Sequence, residues 1–127
     1  MIEKYLEEFG NTMGISNLRL NENDCLSLDI ENVGKFYLER HGNRIFARLL
    51  HTFQQYPLSC RCYEEAFNMA EQQLAYPFPI EVVSKHESDL GFALQLFEIQ
   101  CDVPTLTQIL RFLISLINSF LKRIENF

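Results

Sequence analysis

The chain has 127 residues, 47% of them hydrophobic and 22% charged, a balance that fits one folded domain able to build its own core. Seventeen Asp and Glu against eleven Lys and Arg give a formal net charge of -6. That balance excludes nucleic acid as the main partner, because phosphate contacts need clustered cations.

Residues 2 to 13 read as a short amphipathic helix. Ile2, Leu6, Phe9 and Met13 recur at i, i+4, i+7 and i+11. Tyr5 flanks that stripe, Glu3, Lys4, Glu7 and Glu8 face away, and Gly14 supplies a C-terminal stop. The same charged opening lacks the apolar run of a signal peptide, so a cytosolic location is expected.

Three strand patterns follow. In CLSLDI, Leu26, Leu28 and Ile30 alternate with Cys25, Ser27 and Asp29. In KFYLER, Phe36 and Leu38 alternate with Lys35, Tyr37 and Glu39. In RIFARLL, Ile45, Ala47 and Leu49 point one way, and Phe46, Arg48 and Leu50 the other. Period-two alternation predicts strands with one face buried. Glu31-Asn32-Val33-Gly34 and His41-Gly42-Asn43 are turn chemistry, so the three strands are expected to form an antiparallel meander.

A helix is expected from about Ser59 to Ala75, ended by Pro77 and Pro79. Tyr63, Phe67, Ala70 and Leu74 form its stripe, with Ala66 and Met69 beside it. PIEVVSK and GFALQLFEI, joined by His86-Glu87-Ser88-Asp89, read as a second hairpin. Asp102 is an N-cap for the last helix, and Pro104 fits its first turn. The order helix-strand-strand-strand-helix-strand-strand-helix predicts a single α+β domain over 1–127, with helices packed on an antiparallel sheet.

The last helix has little polar surface. Gln108, Arg111, Ser115, Asn118, Ser119 and Lys122 fall on one stripe roughly 100° wide. Leu106, Ile109, Leu110, Phe112, Leu113, Ile114, Leu116, Ile117, Phe120 and Leu121 cover the rest, the reverse of a surface helix. The run from Ile109 to Leu121 is too short for a membrane span and contains Arg111 and Asn118, so membrane insertion is not expected. Its apolar arc is expected to pack partly on the domain's own sheet and partly on the first helix or on another chain.

No pattern points to catalysis. His41 and His86 lie in expected turns and His51 at a strand end, none beside a Cys or carboxylate at catalytic or metal spacing. Cys60-Arg61-Cys62 is tighter than the CxxC pairs of structural zinc sites. Free thiols are the expected state of all four cysteines. Glu7-Glu8 and Glu64-Glu65 read as solvated helix positions, and there is no GxGxxG, P-loop or GxSxG. No catalytic residue, cofactor or metal site is expected. What stands out is apolar surface: a large core accounts for it, and so does burial against other chains.

FYLERHGNRIFARLL (36–50), EVVSKHESDLGFALQLF (81–97) and the Pro-led helix from Pro104 carry a resemblance over nearly the whole chain. Together with the element order, the length and the acidic balance, they resemble the class I type III secretion chaperones of the CesT/SycE-like fold, most closely the SycN-type members. The resemblance implies a small dimeric protein of the bacterial cytoplasm that works without ATP. It would bind an extended segment near the N-terminus of a secreted effector or gatekeeper protein. It further implies that the middle helix and the following strand form the dimer interface, here Tyr63, Phe67, Ala70, Leu74, Ile80 and Val82. The client would lie over grooves of the first helix and sheet, here Ile2, Leu6, Phe9, Leu28, Ile30, Phe36 and Leu38. For each of these seven, burial in the chain's own core is the competing reading. SycN-type members pair with a related but different subunit, so homodimer and heterodimer both stay open. Two readings from other classes stand beside this one: a structural adaptor bridging folded partners, and a small-molecule-binding α+β protein.

Overall fold

The elements run in the expected order: α1 (Ile2–Thr12), β1 (Cys25–Ile30), β2 (Gly34–His41), β3 (Arg44–Thr52), α2 (Cys60–Glu71), β4 (Glu81–Val83), β5 (Asp89–Phe97) and α3 (Val103–Ile124). A 3-10 turn, Glu98–Gln100, joins the last two. The structure is a computed structural model and describes residues 1–54 and 58–127. All strand pairs are antiparallel, in the order β1-β2-β3-β5-β4. Strands β3 and β5 are therefore interior, and β1 and β4 are edges.

The register aligns the alternating apolar residues into cross-strand rows. One row runs Leu28, Phe36, Leu49, Phe92, Val82 across all five strands. Its three central members are fully buried, while the two on the edge strands are partly exposed. The helices cover this face. α3 contacts α1, α2, β3 and β5, and α2 also contacts β4.

That arrangement accounts for the apolar composition of α3. By length and composition alone the helix could cross a bilayer. Here Leu106, Ile109, Leu110, Leu113, Leu116, Ile117 and Phe120 are buried inside the domain. Phe112, Ile114 and Leu121 are partly buried against the same core. The first helix, the second helix and the sheet cover the surplus arc.

Local chemistry sets the element ends. Ile15 N donates to Gly10 O at 2.8 Å and Gly14 N to Asn11 O at 3.2 Å, with Gly14 at φ +77°. This is the left-handed cap that glycine permits, and it stops α1 one residue before Met13. The Ser59 and Asp102 side chains accept from Cys62 N and Thr105 N, capping α2 and α3. Gly34 and His41 belong to β2 rather than to turns, which leaves Asn32 at φ 64° to make the first reversal.

Three boundaries differ from the sequence expectation. α2 ends at Glu71, not Ala75. Tyr76 precedes a proline, which disfavours helical backbone there, and Tyr76 N closes a turn onto Gln73 O instead. β4 is three residues long rather than seven. Pro79 has no donor for a ladder, and Ser84 Oγ is taken up by His86 O and Asp89 O in the turn. β5 starts at Asp89 and ends at Phe97, and Glu98 and Ile99 belong to the 3-10 turn. That turn is anchored by Glu98 N donating to Asn43 O at 2.7 Å.

Candidate functional site

α2 turns Cys62, Ala66 and Met69 into the core, which leaves Phe67 on its outer side. Phe67, Ala70, Leu74, Ile80 and Val82, five of the six residues expected at a dimer interface, line one groove of about 610 Å³ between α2 and β4. Glu71, Gln73, Tyr76, Pro77, Pro79 and Glu81 complete its lining. Phe67 is 54% exposed and Leu74 91%. Leu74 lies beyond the helix end, so it is displayed by the following turns rather than by the helical stripe. Tyr63 stands one turn before Phe67, partly buried against the core. β4 pairs only with β5, so among the described residues its outer edge carries no strand.

The seven residues expected to meet a client divide sharply. Ile2, Leu6, Phe9, Phe36 and Leu38 are at most 1% exposed and belong to the core. In this single chain the five side chains take the competing, core reading, those of α1 packed where α3 lies across it. Leu28 and Ile30, on the free edge strand β1, are partly exposed. Ile30 also lines a cleft of about 1220 Å³ between the β1–β2 turn, the end of β3 and the last turn of α3.

A charged cluster pins the start of α1 to the sheet. Arg40 Nη1 donates to Glu3 Oε1 at 2.8 Å and to Glu98 Oε2 at 3.4 Å, and Nη2 donates to Asp24 Oδ1 at 2.8 Å. Ile2 N donates to the same Glu98 oxygen at 3.2 Å. Hydrogen bonds from the N-terminal ammonium, first, and from Arg40 hold the Glu3 carboxyl down at about 2. Hydrogen bonds to Glu3, first, and to Asp24 raise Arg40 well above its ordinary value. Arg40 escaped the sequence reading, yet a signal was there: it continues the core-facing alternation Phe36, Leu38, Arg40.

The polar and thiol groups fill structural positions. His51 Nδ1 is hydrogen-bonded to Val33 O, His41 Nε2 sits 3.2 Å from Glu39 Oε2, and His86 N donates to Asp89 Oδ1. Cys60 is exposed and Cys62 buried. Burial pushes the Cys101 thiol up to about 12, helped by Glu98 and Asp102. Among the described residues no three His, Cys, Asp or Glu side chains gather as a metal site.

With this geometry in place, comparison with known proteins is specific. The family model for the type III secretory system chaperone SycN matches residues 1–121. The chain is similar in structure to the ExsC-ExsE complex, at 14% identity over 97% of this chain and 92% of that chain, with a TM-score of 0.77. It is similar to the HopA1-SchA chaperone-effector complex, at 14% identity over 94% and 91%, with a TM-score of 0.71. A third similar structure is the Yersinia pestis type III secretion chaperone SycH with a stable fragment of YscM2, at 16% identity over 96% and 98%, with a TM-score of 0.67. Identities at this level show the fold. Among curated proteins none matches.

Proposed function

The chain belongs to the SycN family of type III secretory system chaperones, and from that premise we propose that it is a dimeric chaperone of the bacterial cytoplasm. It holds an extended N-terminal segment of a secreted effector or gatekeeper protein, keeping it soluble and competent for export. It does so without catalysis, cofactor or ATP. The observation that carries this reading is that the core closes within one chain and still leaves Phe67 and Leu74 exposed along the α2–β4 groove. Apolar side chains displayed beside an edge strand favour burial against another chain. The groove is assigned to the second chaperone subunit. Tyr63, Phe67, Ala70, Leu74, Ile80 and Val82 are the interface residues, with the exposed Phe67 and Leu74 as anchors.

The opposite edge is assigned to the client. An extended segment aligned on β1 meets unpaired main-chain groups and the side chains of Leu28 and Ile30. The cleft beside Ile30 offers a mixed polar and apolar lining along which such a segment can be ordered. Similar structures contain chaperones bound to effectors or fragments, which supports this use of the fold.

The test is native purification of the tagged protein from its own cells, with bound chains identified by mass spectrometry. One secreted protein, held through its N-terminal region, is the expected result. The isolated, unfolded N-terminal fragment should then bind as well as the whole client. Binding only to a folded partner would make the protein an adaptor instead. A second small related chain in the eluate would assign the heterodimer.

A further inference from the structure

α3 holds three cations, Arg111, Lys122 and Arg123, and no acidic residue, in a chain whose net charge is -6. Its inward side is taken up by the core. Its outward side carries a shallow furrow of about 430 Å³, lined by Arg111, Ile114, Ser115, Asn118, Ser119 and Lys122. Arg111 and Lys122 are both exposed and stand eleven positions apart. On a helix that spacing sets them within about 20° of one face and about 16 Å apart along the axis. The furrow shares no residue with the α2–β4 groove or with the cleft beside Ile30, so neither role proposed above uses it.

The two cations are uncompensated. Among the described residues neither Arg111 nor Lys122 has a carboxylate within ion-pair distance. Arg123, next in the chain, is paired with Glu65 at 2.9 Å. The helix dipole accounts for Lys122 and Arg123 in the last turn, but it gives no reason for Arg111 in the middle. Between the cations the short side chains of Ser115 and Ser119 form a low floor, with Ile114 beside them as apolar area. A furrow with a free cation at each end is complementary to a rod that brings a carboxylate to each of those two points.

We propose that the α3 furrow receives an acidic helix of a folded partner protein, distinct from the client segment and from the second chaperone subunit, with two carboxylates about three turns apart on Arg111 and Lys122. The main chain of α3 is paired within the helix, so the furrow offers side-chain contacts alone. That favours a guest whose own main chain is already paired, as a helix's is. The serine floor lets the two axes approach to about 8 Å. A second copy of α3 does not fit. Laid antiparallel it would set the Arg111 of one against the Lys122 of the other, and laid parallel it would set like against like. Nucleic acid and an anionic bilayer both need a denser cluster of cations than two. The chain's net charge of -6 repels acidic proteins at long range, so the partner's acidic groups are confined to the contact and its remaining surface is neutral or basic.

The test uses the full chain and three synthetic helical peptides of about 20 residues on a common Ala/Leu face. One carries two Glu at the spacing of Arg111 and Lys122. The second carries Lys at the same places. In the third, one Glu is shifted by two positions, which moves it to the opposite side of the helix. Binding is followed by backbone amide shifts. The first peptide should bind about fivefold tighter than either of the others, with shifts gathered at Ser115, Asn118 and Ser119. The double variant Arg111→Glu/Lys122→Glu should reverse the preference between Glu and Lys, with its melting temperature unchanged because both positions are exposed. Equal affinity for the three peptides, or shifts outside α3, overturns the proposal. So does a lower assembly mass for the double variant, since the furrow would then join copies of the chain. Binding of wild type but not of the double variant to vesicles of anionic lipid, without a preference among the peptides, would assign the stripe to a membrane surface instead. Native purification of wild type and double variant side by side completes the test. A folded protein should be retained by wild type alone and released by the first peptide but not by the Lys peptide, while the client and the second subunit stay with both. Identical eluates overturn the proposal, and loss of the client from the double variant overturns it by giving the stripe to the client. A client missing from both eluates removes the chaperone reading and leaves the furrow to be judged by the peptides and its own partner.

Discussion

The Tyr76 ring lies flat on the Phe112 ring, with centroids 3.7 Å apart and planes within 10°. This stack joins the segment after α2 to the middle of α3. It fixes where Pro77 and Pro79 lead the chain into β4, and so shapes the α2–β4 groove without using any of its exposed residues. Phe112 is only partly buried, so Phe112→Ala should cost about 2 kcal/mol, below the range for fully buried rings. Urea unfolding checks this. The variant should also self-associate more weakly than its stability loss explains, because the groove loses its backing. Unchanged self-association would separate the stack from the groove.

Leu74→Asp tests the groove directly. At 91% exposure the side chain contributes little to the fold, so the melting temperature should move by no more than about 2 °C. The assembly should nevertheless fall to the mass of one chain, 14.9 kDa, in sedimentation equilibrium, because a charge would be buried without a partner. Phe67→Asp should act the same way. Retention of the dimer by both variants would move the interface elsewhere.

Phe120 is the opposite case. It is fully buried and meets Phe53 and Phe92 edge-on, at 6.4 and 5.9 Å between centroids. Phe120→Ala should cost roughly 3–5 kcal/mol and lower solubility through unfolding, whereas Leu74→Asp should leave the folded monomer intact. Denaturant midpoints for the two variants, compared with their masses, distinguish a core position from an interface position.

The fold was legible because its signals are local. Period-two alternation in 25–50 and 91–97, turn residues at Asn32 and Gly42, and the Asp102 cap each act within a few residues. The site was legible only in part. Stripe residues of a helix look alike whether they face the core or a partner. Ile2, Leu6 and Phe9 went inward because α3 lies across them, and Phe67 stayed outside because Cys62, Ala66 and Met69 took the core-facing side of α2. Which stripe wins depends on contacts between elements far apart in sequence, and alternation carries no trace of them. Leu74 lies beyond the helix end for a more local reason: Tyr76 precedes Pro77, which disfavours helical backbone there, and the apolar stripe runs on past that stop.

Asp89 is a buried acid whose role could not be read from its place in a turn-like stretch. It is 5% exposed, and its Oδ1 accepts from Lys85 N at 2.7 Å, His86 N at 3.0 Å and Ser84 Oγ at 3.2 Å. It thereby sets the β4–β5 turn and with it the position of the short edge strand. Asp89→Ala leaves two main-chain donors without that acceptor, so a loss of about 2 kcal/mol is expected. Asp89→Asn keeps an oxygen at the same place and should lose less. Hydrogen exchange at Lys85 and His86 should accelerate in the alanine variant. Equal protection in all three proteins would show that the turn holds itself.

The Glu3 carboxylate, bonded by the N-terminal ammonium first and then by Arg40, gives the fold a specific response to acid through this contact. The Glu3 carboxyl is depressed from 4.5 to about 2, so below its ordinary value the unfolded chain takes up a proton that the folded chain refuses. The contact therefore stabilises fully above that ordinary value, and its contribution is lost as the pH falls towards about 2. Glu3 is largely exposed, so solvent and salt screen the effect, and Glu3→Gln should lower the melting temperature by only about 2 °C near neutral pH. The difference should shrink on acidification and vanish near pH 2. Asp102, whose carboxyl is also held low by its bond from Thr105, titrates equally in both proteins and cancels from the comparison. Calorimetric scans of the pair at low ionic strength decide the matter: a gap that stays constant down to the lowest pH would mean that Glu3 acts through packing and not through its charge.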